Sequence, residues 1–297
     1  MMGAMQRPDV LVLGAGGTIG AAWMCGVLAG IAERSGIDFS ASEHVVGTSA
    51  GAIVAANLLA GVEPRAPTSV PDGDGAGGAP PSGRDGRLRA RARRLGAGLA
   101  GTAGSPLAPL ALSLGRNPGT LVRAAALARV SEPSRSLDDL GMRIGQLGLA
   151  WNGSLRIVCV DRARGRRVVF GAPGAPTARV EEAVQASCSI PGIFRPVRIG
   201  EDEYVDGAVW SPTNMDAAPA GRETHLLCLA PMGGLLGDRE PRGAAVRAAT
   251  TAAIRLETLA LRRRGVHVTV ILPEAADPAE HARVAGFRQG RALARAE

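Results

Sequence analysis

The sequence predicts a layered α/β fold in one domain, and three observations carry that reading. Short runs of Val, Leu and Ile alternate with longer helix-like stretches along most of the chain. Twice near the N-terminus an apolar run stops at a glycine-containing turn and passes at once into a helix-like segment. A length of 297 residues with 46% hydrophobic content, evenly spread, suffices for one large core.

Taken in order, Val10 to Leu13 is a short β-branched and Leu run, read as a buried strand, and Ala21 to Arg34 has helical apolar spacing. His44 to Val46 is a second strand, leading through Gly47-Thr48-Ser49-Ala50-Gly51 into the apolar helix Ala52 to Ala60. At about 62–104 the composition turns to Pro, Gly, Asp and Arg with repeated turn signals, which predicts an insertion, and about 105–150 reads as a cap-like segment. The basic cluster Arg87 to Arg94 and the uncharged run Leu95 to Gly115 fit either a lid touching anionic lipid or a solvated linker. Strands are expected again at Leu155 to Val160 and Arg166 to Phe170, then a helix from about Ala178 to Ala186. Thr224 to Leu229 and Val266 to Leu272 are further strands flanking a long Ala- and Arg-rich helix. Asp277, Pro278 and Glu280 supply a cap, a first-turn proline and a capping box for a last helix.

Composition excludes some classes. The 34 basic residues are all Arg, a bias that weakens the net charge of +7 as a guide to partners. Aromatic residues make up only 3%, too few for the stacking platforms of single-strand binders, so no nucleic-acid partner is expected. Cys25, Cys159, Cys188 and Cys228 are far apart and lack metal or redox spacing, so they read as buried thiols and no metal is expected. The uncharged stretch Val10 to Ala32 is long enough to span a bilayer, but six glycines interrupt it. Arg7 and Asp9 sit where a leader would begin, so a cytoplasmic location is expected by default, with peripheral membrane contact as an option.

The chemistry concentrates in three places. Gly47-x-Ser49-x-Gly51 fits a nucleophile elbow, in which a sharp strand-to-helix turn holds the serine hydroxyl clear of the backbone. The pentapeptide is weak alone; its place between a strand-like and a helix-like run makes Ser49 the candidate nucleophile. Gly14-Ala15-Gly16-Gly17-Thr18-Ile19-Gly20 also joins a strand to a helix, and it admits a dinucleotide loop, an oxyanion hole or a structural turn. The dinucleotide pattern requires glycine where Ile19 stands. Tyr204-Val205-Asp206-Gly207-Ala208 ends a short strand in a carboxylate, although Asp-Gly is also an ordinary turn pair. Among the histidines, His44 precedes the elbow, His225 and His267 fall in apparent strands, and His281 falls in the last helix. The order Ser49, Asp206, His267 of an α/β-hydrolase stays open, with only one strand ahead of the elbow.

These stretches, in this order, resemble the patatin-like phospholipases, whose signatures are a glycine-rich loop, a G-x-S-x-G elbow and a distant D-G dipeptide. Ala186-Ser187-Cys188-Ser189-Ile190-Pro191-Gly192-Ile193-Phe194 is similar to the family's helix-to-loop segment ahead of the aspartate. The likeness covers roughly residues 10–61 and 150–295. It implies a three-layer α/β/α sandwich with a mostly parallel central sheet, and a lipid or other acyl ester as substrate. It implies a Ser49–Asp206 dyad, an oxyanion hole at the amides of Gly16, Gly17 and Thr18, and shaping roles for Gly14, Gly20, Gly47, Gly51 and Gly207. The dyad needs neither a catalytic histidine nor a cofactor. A carboxylate with a pKa near ~4 is a poor base for a hydroxyl, so such a site must be dry. The chain departs from the family in having Ile19 where a basic residue is usual, Ala15 for a frequent glycine and Arg195 for a frequent proline. A catalytically silent relative that keeps the fold as a binding or regulatory module is the second reading.

Overall fold

The computed structural model describes residues 6–64, 67, 119–233, 241–273 and 282–295, with backbone alone for 241–247. Its strands are β1 (Val10–Leu13), β2 (His44–Thr48), β3 (Leu155–Asp161), β4 (Arg166–Phe170), β5 (Val197–Ile199), β6 (Asp202–Asp206), β7 (His225–Leu229) and β8 (His267–Ile271). Its helices are α1 (Gly17–Ser35), α2 (Ala50–Leu59), α3 (Thr120–Ala128), α4 (Asp138–Gly145), α5 (Val180–Ser187), α6 (Pro241–Arg263) and α7 (Ala282–Leu293).

The fold is mixed α/β around one eight-stranded sheet in the order β5-β6-β3-β2-β1-β7-β8, with β4 also paired to β3. Strands β3, β2, β1, β7 and β8 run parallel; β4, β5 and β6 are antiparallel additions at one side. Alternation along the strands divides the core. Leu11 and Leu13 face the cluster with Trp23, Met24, Val54 and Val184, whereas Val10 and Val12 face Met215, Ile254 and Leu261. Helices α1, α2, α4, α5 and α7 thus cover one face and α6 the other, giving three layers. On that second face α3 sets Leu127 against Val160, Val205 and Val209.

Several elements differ from their predicted bounds. Helix α1 starts at Gly17, not Ala21, because the loop glycines themselves enter the first turn: Gly17 takes φ +58 and the Gly20 amide donates to the Gly16 carbonyl at 2.8 Å. Helix α2 likewise starts at Ala50, directly after the elbow serine. The helix expected from Ala178 runs Val180–Ser187, since the Glu182 carboxylate accepts from the Arg179 amide at 2.8 Å and fixes its start. The segment expected as a cap is described from residue 119, where α4 buries Leu140 and Ile144 in the main core. Of the expected insertion at about 62–104, residues 62–64 and 67 are described; the rest of it, the cluster Arg87 to Arg94, the run Leu95 to Gly115 and the residues Asp277, Pro278, Glu280 and His281 lie outside the described residues.

The closest helix contact joins α1 to α7 through two pairs of glycines spaced by four. A β-carbon on Gly26 would stand 2.2 Å from the Arg283 carbonyl oxygen and one on Gly30 2.3 Å from that of Phe287. Reciprocally, Gly286 and Gly290 would each reach 2.3 Å from the carbonyl oxygens of Trp23 and Val27. The backbones touch, so neither helix tolerates a side chain at the crossing. Trp23 seals the contact by donating from Nε1 to Gln289 Oε1 at 3.1 Å, and Gln289 Nε2 donates to the Leu272 carbonyl at 2.7 Å. Replacing Gly30 or Gly290 with Val is expected to cost about 1–3 kcal/mol, the usual range for overpacking. Gly145→Ala, whose added methyl meets only ordinary contacts at 3.6 Å or more, is expected to be neutral or slightly stabilising. Thermal melts of the three variants check both statements; a Val variant at either crossing glycine that melts with the parent would contradict the first.

Candidate active site

Strand β3 brings the two key segments together. Along one edge it pairs β4 continuously from Ile157 to Asp161. Along the other edge it pairs two strands in succession: β2 from Leu155 to Val158, ending at Thr48, and then β6 from Cys159 to Asp161, ending at Asp206. Strands β2 and β6 therefore approach each other end to end on a common neighbour. Thr48 lies opposite Val158 and Asp206 opposite the next residue, Cys159.

Ser49 follows β2 at φ 54 and ψ −120, a conformation that costs a non-glycine residue on the order of 1–3 kcal/mol and that turns the chain sharply into α2. Space allows this turn only with glycine on both sides. A β-carbon on Gly47 would stand 2.6 Å from Ala52 Cα, and one on Gly51 1.8 Å from the Leu13 carbonyl oxygen. Gly207 is restricted in the same way, 2.3 Å from the Val158 carbonyl oxygen. The Ser49 hydroxyl donates to Asp206 Oδ2 at 2.7 Å. Asp206 Oδ1 accepts from the Ala208 amide at 2.8 Å, and the Asp206 amide donates to the Ser189 carbonyl at 3.0 Å.

Ser187, the last residue of α5, fills the break between the two strand ends. Its Oγ accepts from the Ser49 amide at 2.9 Å and donates to the Val158 carbonyl at 2.7 Å. The Cys188 thiol donates to the Ser49 carbonyl at 3.3 Å, and burial holds that thiol well above its usual pKa. Ser187 has no role of its own in the sequence reading; the one signal is its place within the segment Ala186 to Phe194, which is similar to the family's helix-to-loop segment ahead of the aspartate.

Asp206 is only 2% exposed, and burial pushes its carboxyl up to about 7. Hydrogen bonds from the Ala208 amide and the Ser49 hydroxyl pull the other way and are outweighed. Ser49 is 7% exposed, at the boundary between the dry interior and solvent.

The glycine loop lies beside the elbow because β1 and β2 are parallel and in register, Leu13 opposite Gly47, so that both chains leave the sheet at the same edge. Its first amides are occupied: Gly14 donates to the Leu229 carbonyl at 2.9 Å and Ala15 to that of Pro212 at 2.8 Å. The amides of Gly17 and Thr18 belong to the first turn of α1, where helix geometry supplies no intrahelical acceptor, and both residues are exposed. Gly16 precedes them as the N-cap, packed against Pro231 and Gly20. Ile19 is half-buried against the main core.

No described imidazole approaches Ser49. His44, His225 and His267 are the first residues of β2, β7 and β8, at the opposite edge of the parallel sheet from the elbow. His225 and His267 stack with ring centroids 4.8 Å apart, and His267 Nε2 lies 3.1 Å from Glu223 Oε2. The order Ser49, Asp206, His267 is thus not assembled as a triad. Among the described residues no group of three His, Cys, Asp or Glu side chains has metal-binding placement, and no helix is long and apolar enough to cross a membrane.

Two solved structures are similar: VipD from Legionella pneumophila, and the heterodimeric ExoU–SpcU complex from the type III secretion system of Pseudomonas aeruginosa. The first has 17% identity and a TM-score of 0.44 over 98% of this chain and 67% of its own; the second has 20% and 0.42 over 97% and 51%. This chain therefore spans about half the length of the second. No protein of curated function matches the sequence. A family model described as patatin-like phospholipase matches residues 11–219, well over half of the 297, and the chain belongs to that family.

Proposed function

We propose that this chain is a serine acyl hydrolase acting on lipid acyl esters, with Ser49 as nucleophile and Asp206 as its base. The observation that carries the reading is the 2.7 Å hydrogen bond from the Ser49 hydroxyl to a carboxyl group that burial has made unusually basic. Family membership supports the lipid substrate class.

In the acylation step Ser49 Oγ attacks the ester carbonyl carbon while its proton passes to Asp206 Oδ2. In this reading the carbonyl oxygen becomes an oxyanion at the glycine loop with the amides of Gly16, Gly17 and Thr18 as its donors, a role supported by the start of α1 at Gly17, which puts the positive end of that helix there. Collapse of that intermediate expels the alcohol, which takes the proton from Asp206 and leaves an acyl group on Ser49. Water then attacks the acyl-enzyme, giving its proton to Asp206, and the carboxylic acid departs as the hydroxyl regains its proton. Gly14, Gly20, Gly47, Gly51 and Gly207 serve the shape of these turns. The cycle uses no cofactor and no metal.

A fluorophosphonate probe tests the nucleophile: the parent chain is expected to label and Ser49→Ala to lose the label. Labelling of a folded Ser49→Ala at the parent rate would remove Ser49 from the mechanism, and a folded parent that never labels would favour the silent relative.

The base must be ionised, so kcat/KM is expected to be fully present above pH 7 and to fall about tenfold per unit below it. A pH profile with its acid limb near 4 would deny Asp206 this role. Asp206→Asn is expected to abolish turnover yet to raise stability. A native carboxyl titrating near 7, against ~4 when unfolded, binds more protons in the folded chain between those values. Parent stability therefore declines as pH rises through that window and levels off above it, by on the order of a few kcal/mol. The gain in melting temperature of Asp206→Asn should grow from pH 4 to 7 and then stay constant; a gain independent of pH would contradict the assigned titration.

A further inference from the structure

A second set of hydrogen bonds grips the Ser49–Asp206 pair from behind, and it centres on a residue outside the three motifs. Asn214 is fully buried and sits at φ +51, a left-handed conformation that disfavours side chains other than Asn, Asp and Gly. The two hydrogens of its Nδ2 are shared among three acceptors, Thr48 Oγ1 at 3.2 Å, the Gly207 carbonyl at 3.2 Å and the Ser211 carbonyl at 2.7 Å. Thr48 is the residue before Ser49, and Gly207 is the residue after Asp206. One side-chain amide thus bridges the two chain segments at their nearest points to the hydroxyl and the carboxyl group. On its other side Asn214 Oδ1 accepts from Arg167 Nη1 at 3.4 Å, and Arg167 is held by an ion pair with Asp216 at 2.7 Å.

The conformation of Asn214 is imposed from α6. Glu257, 1% exposed, accepts with Oε2 from the Thr213 hydroxyl at 2.7 Å and from the Met215 amide at 3.0 Å, the residues on either side of Asn214. Ser211 Oγ accepts from the amides of Thr213 and Asn214 at 3.3 and 3.2 Å. A carboxyl group buried this deeply is costly, and Oε1 has no partner among the described residues. Packing alone would be served better by an apolar side chain, so the hydrogen bonds that Glu257 makes to the loop are what distinguish it.

We propose that Asn214 is a positioning residue that sets the separation of the Ser49 hydroxyl and the Asp206 carboxyl group, and that Glu257 presents it by fixing both of its neighbours. The proposal rests on the reading of Ser49 and Asp206 as nucleophile and base. An asparagine that merely stabilised the fold would lower the melting temperature on removal but leave the chemistry of the folded molecules intact.

The test is the second-order rate of fluorophosphonate labelling, measured on folded protein, beside kcat and KM on a soluble ester. Asn214→Gly removes the amide while keeping φ +51 accessible, and it is expected to slow labelling about 100-fold, the scale of a 1 Å misplacement. The loss should fall on kcat with KM little changed. Thr48→Val removes one acceptor and is expected to cost less, with the double variant no slower than Asn214→Gly alone, because both delete one contact. Glu257→Gln keeps an oxygen for the Thr213 hydroxyl and the Met215 amide and should retain most of the rate, whereas Glu257→Leu should approach Asn214→Gly. Parent-like labelling by folded Asn214→Gly, or independent losses that multiply in the double variant, would overturn the proposal. If Asn214→Gly does not fold, Thr48→Val and the Glu257 pair decide it by the same criteria. Failure of the underlying reading is distinguishable: the parent would not label at Ser49. In that event a crystal structure of Thr48→Val decides, with a Ser49–Asp206 separation longer than 2.7 Å supporting the positioning role and an unchanged one denying it.

Discussion

The contact between Ser49 and Asp206 depends on a strand that has two partners along one edge. Because β2 runs parallel to β3 and β6 antiparallel, their C-terminal ends face each other across a gap of one register step, Val158 to Cys159. Any pair of residues just beyond such ends is forced close, whatever their separation in sequence, and here that separation is 157 positions. The same arrangement leaves a break in the ladder, where a carbonyl and an amide lose their usual strand partners and burial forbids water. Ser187 satisfies both with one hydroxyl. Its acceptance of the Ser49 amide also fixes the backbone of a residue held at φ 54 and ψ −120, so the strain at the elbow is held by the hydrogen bond that closes the ladder gap.

Dryness follows from the same geometry. Asp206, the last residue of β6, is buried with its hydrogen bonds to Ala208 and Ser49 as polar compensation. Two accepted hydrogen bonds do not offset the loss of water, so the carboxyl group is pushed up to about 7. Burial thus raises the basicity of the carboxyl group beside the Ser49 hydroxyl, which is what the proposed two-residue mechanism asks of it. In that mechanism the positive end of α1 would face the developing negative charge.

Much of this was legible in the sequence because it is local. Strand, glycine turn and helix are consecutive in residues 10–35 and 44–59, and in both cases the elements form with only small shifts of boundary. The steric demand for Gly47, Gly51 and Gly207 could be anticipated from how tight such turns are. What escaped is non-local. Nothing in Ser187 or Asn214 separates them from solvated polar residues, since their importance comes from carbonyls and amides contributed by distant segments. Glu257 sits in what reads only as a long Ala- and Arg-rich helix, and only the position of the 211–215 loop makes it a buried anchor. The glycines of α1 were visible as interruptions of an apolar run; their spacing acquired meaning only when Gly286 and Gly290 met them across the crossing.

The proposed reacting groups all lie between residues 16 and 206, yet what fixes their segments extends to the end of the described chain. The loop that starts at Gly14 is tied to β7 through the Leu229 carbonyl and to the connection that precedes β7 through that of Pro212. With the Gly14 and Ala15 amides committed to those acceptors, the chain can turn only by placing Gly16 and Gly17 at the start of α1, and it is the later amides that stay available. Helix α1 is in turn held along its length by α7, at a spacing only glycine allows. Helix α6 acts on the other face through Glu257. The C-terminal elements therefore do for the glycine loop and for the segment after Asp206 what α5 does for Ser49: each fixes one backbone segment, and the candidate site lies where the three fixed segments meet at a single edge of the sheet.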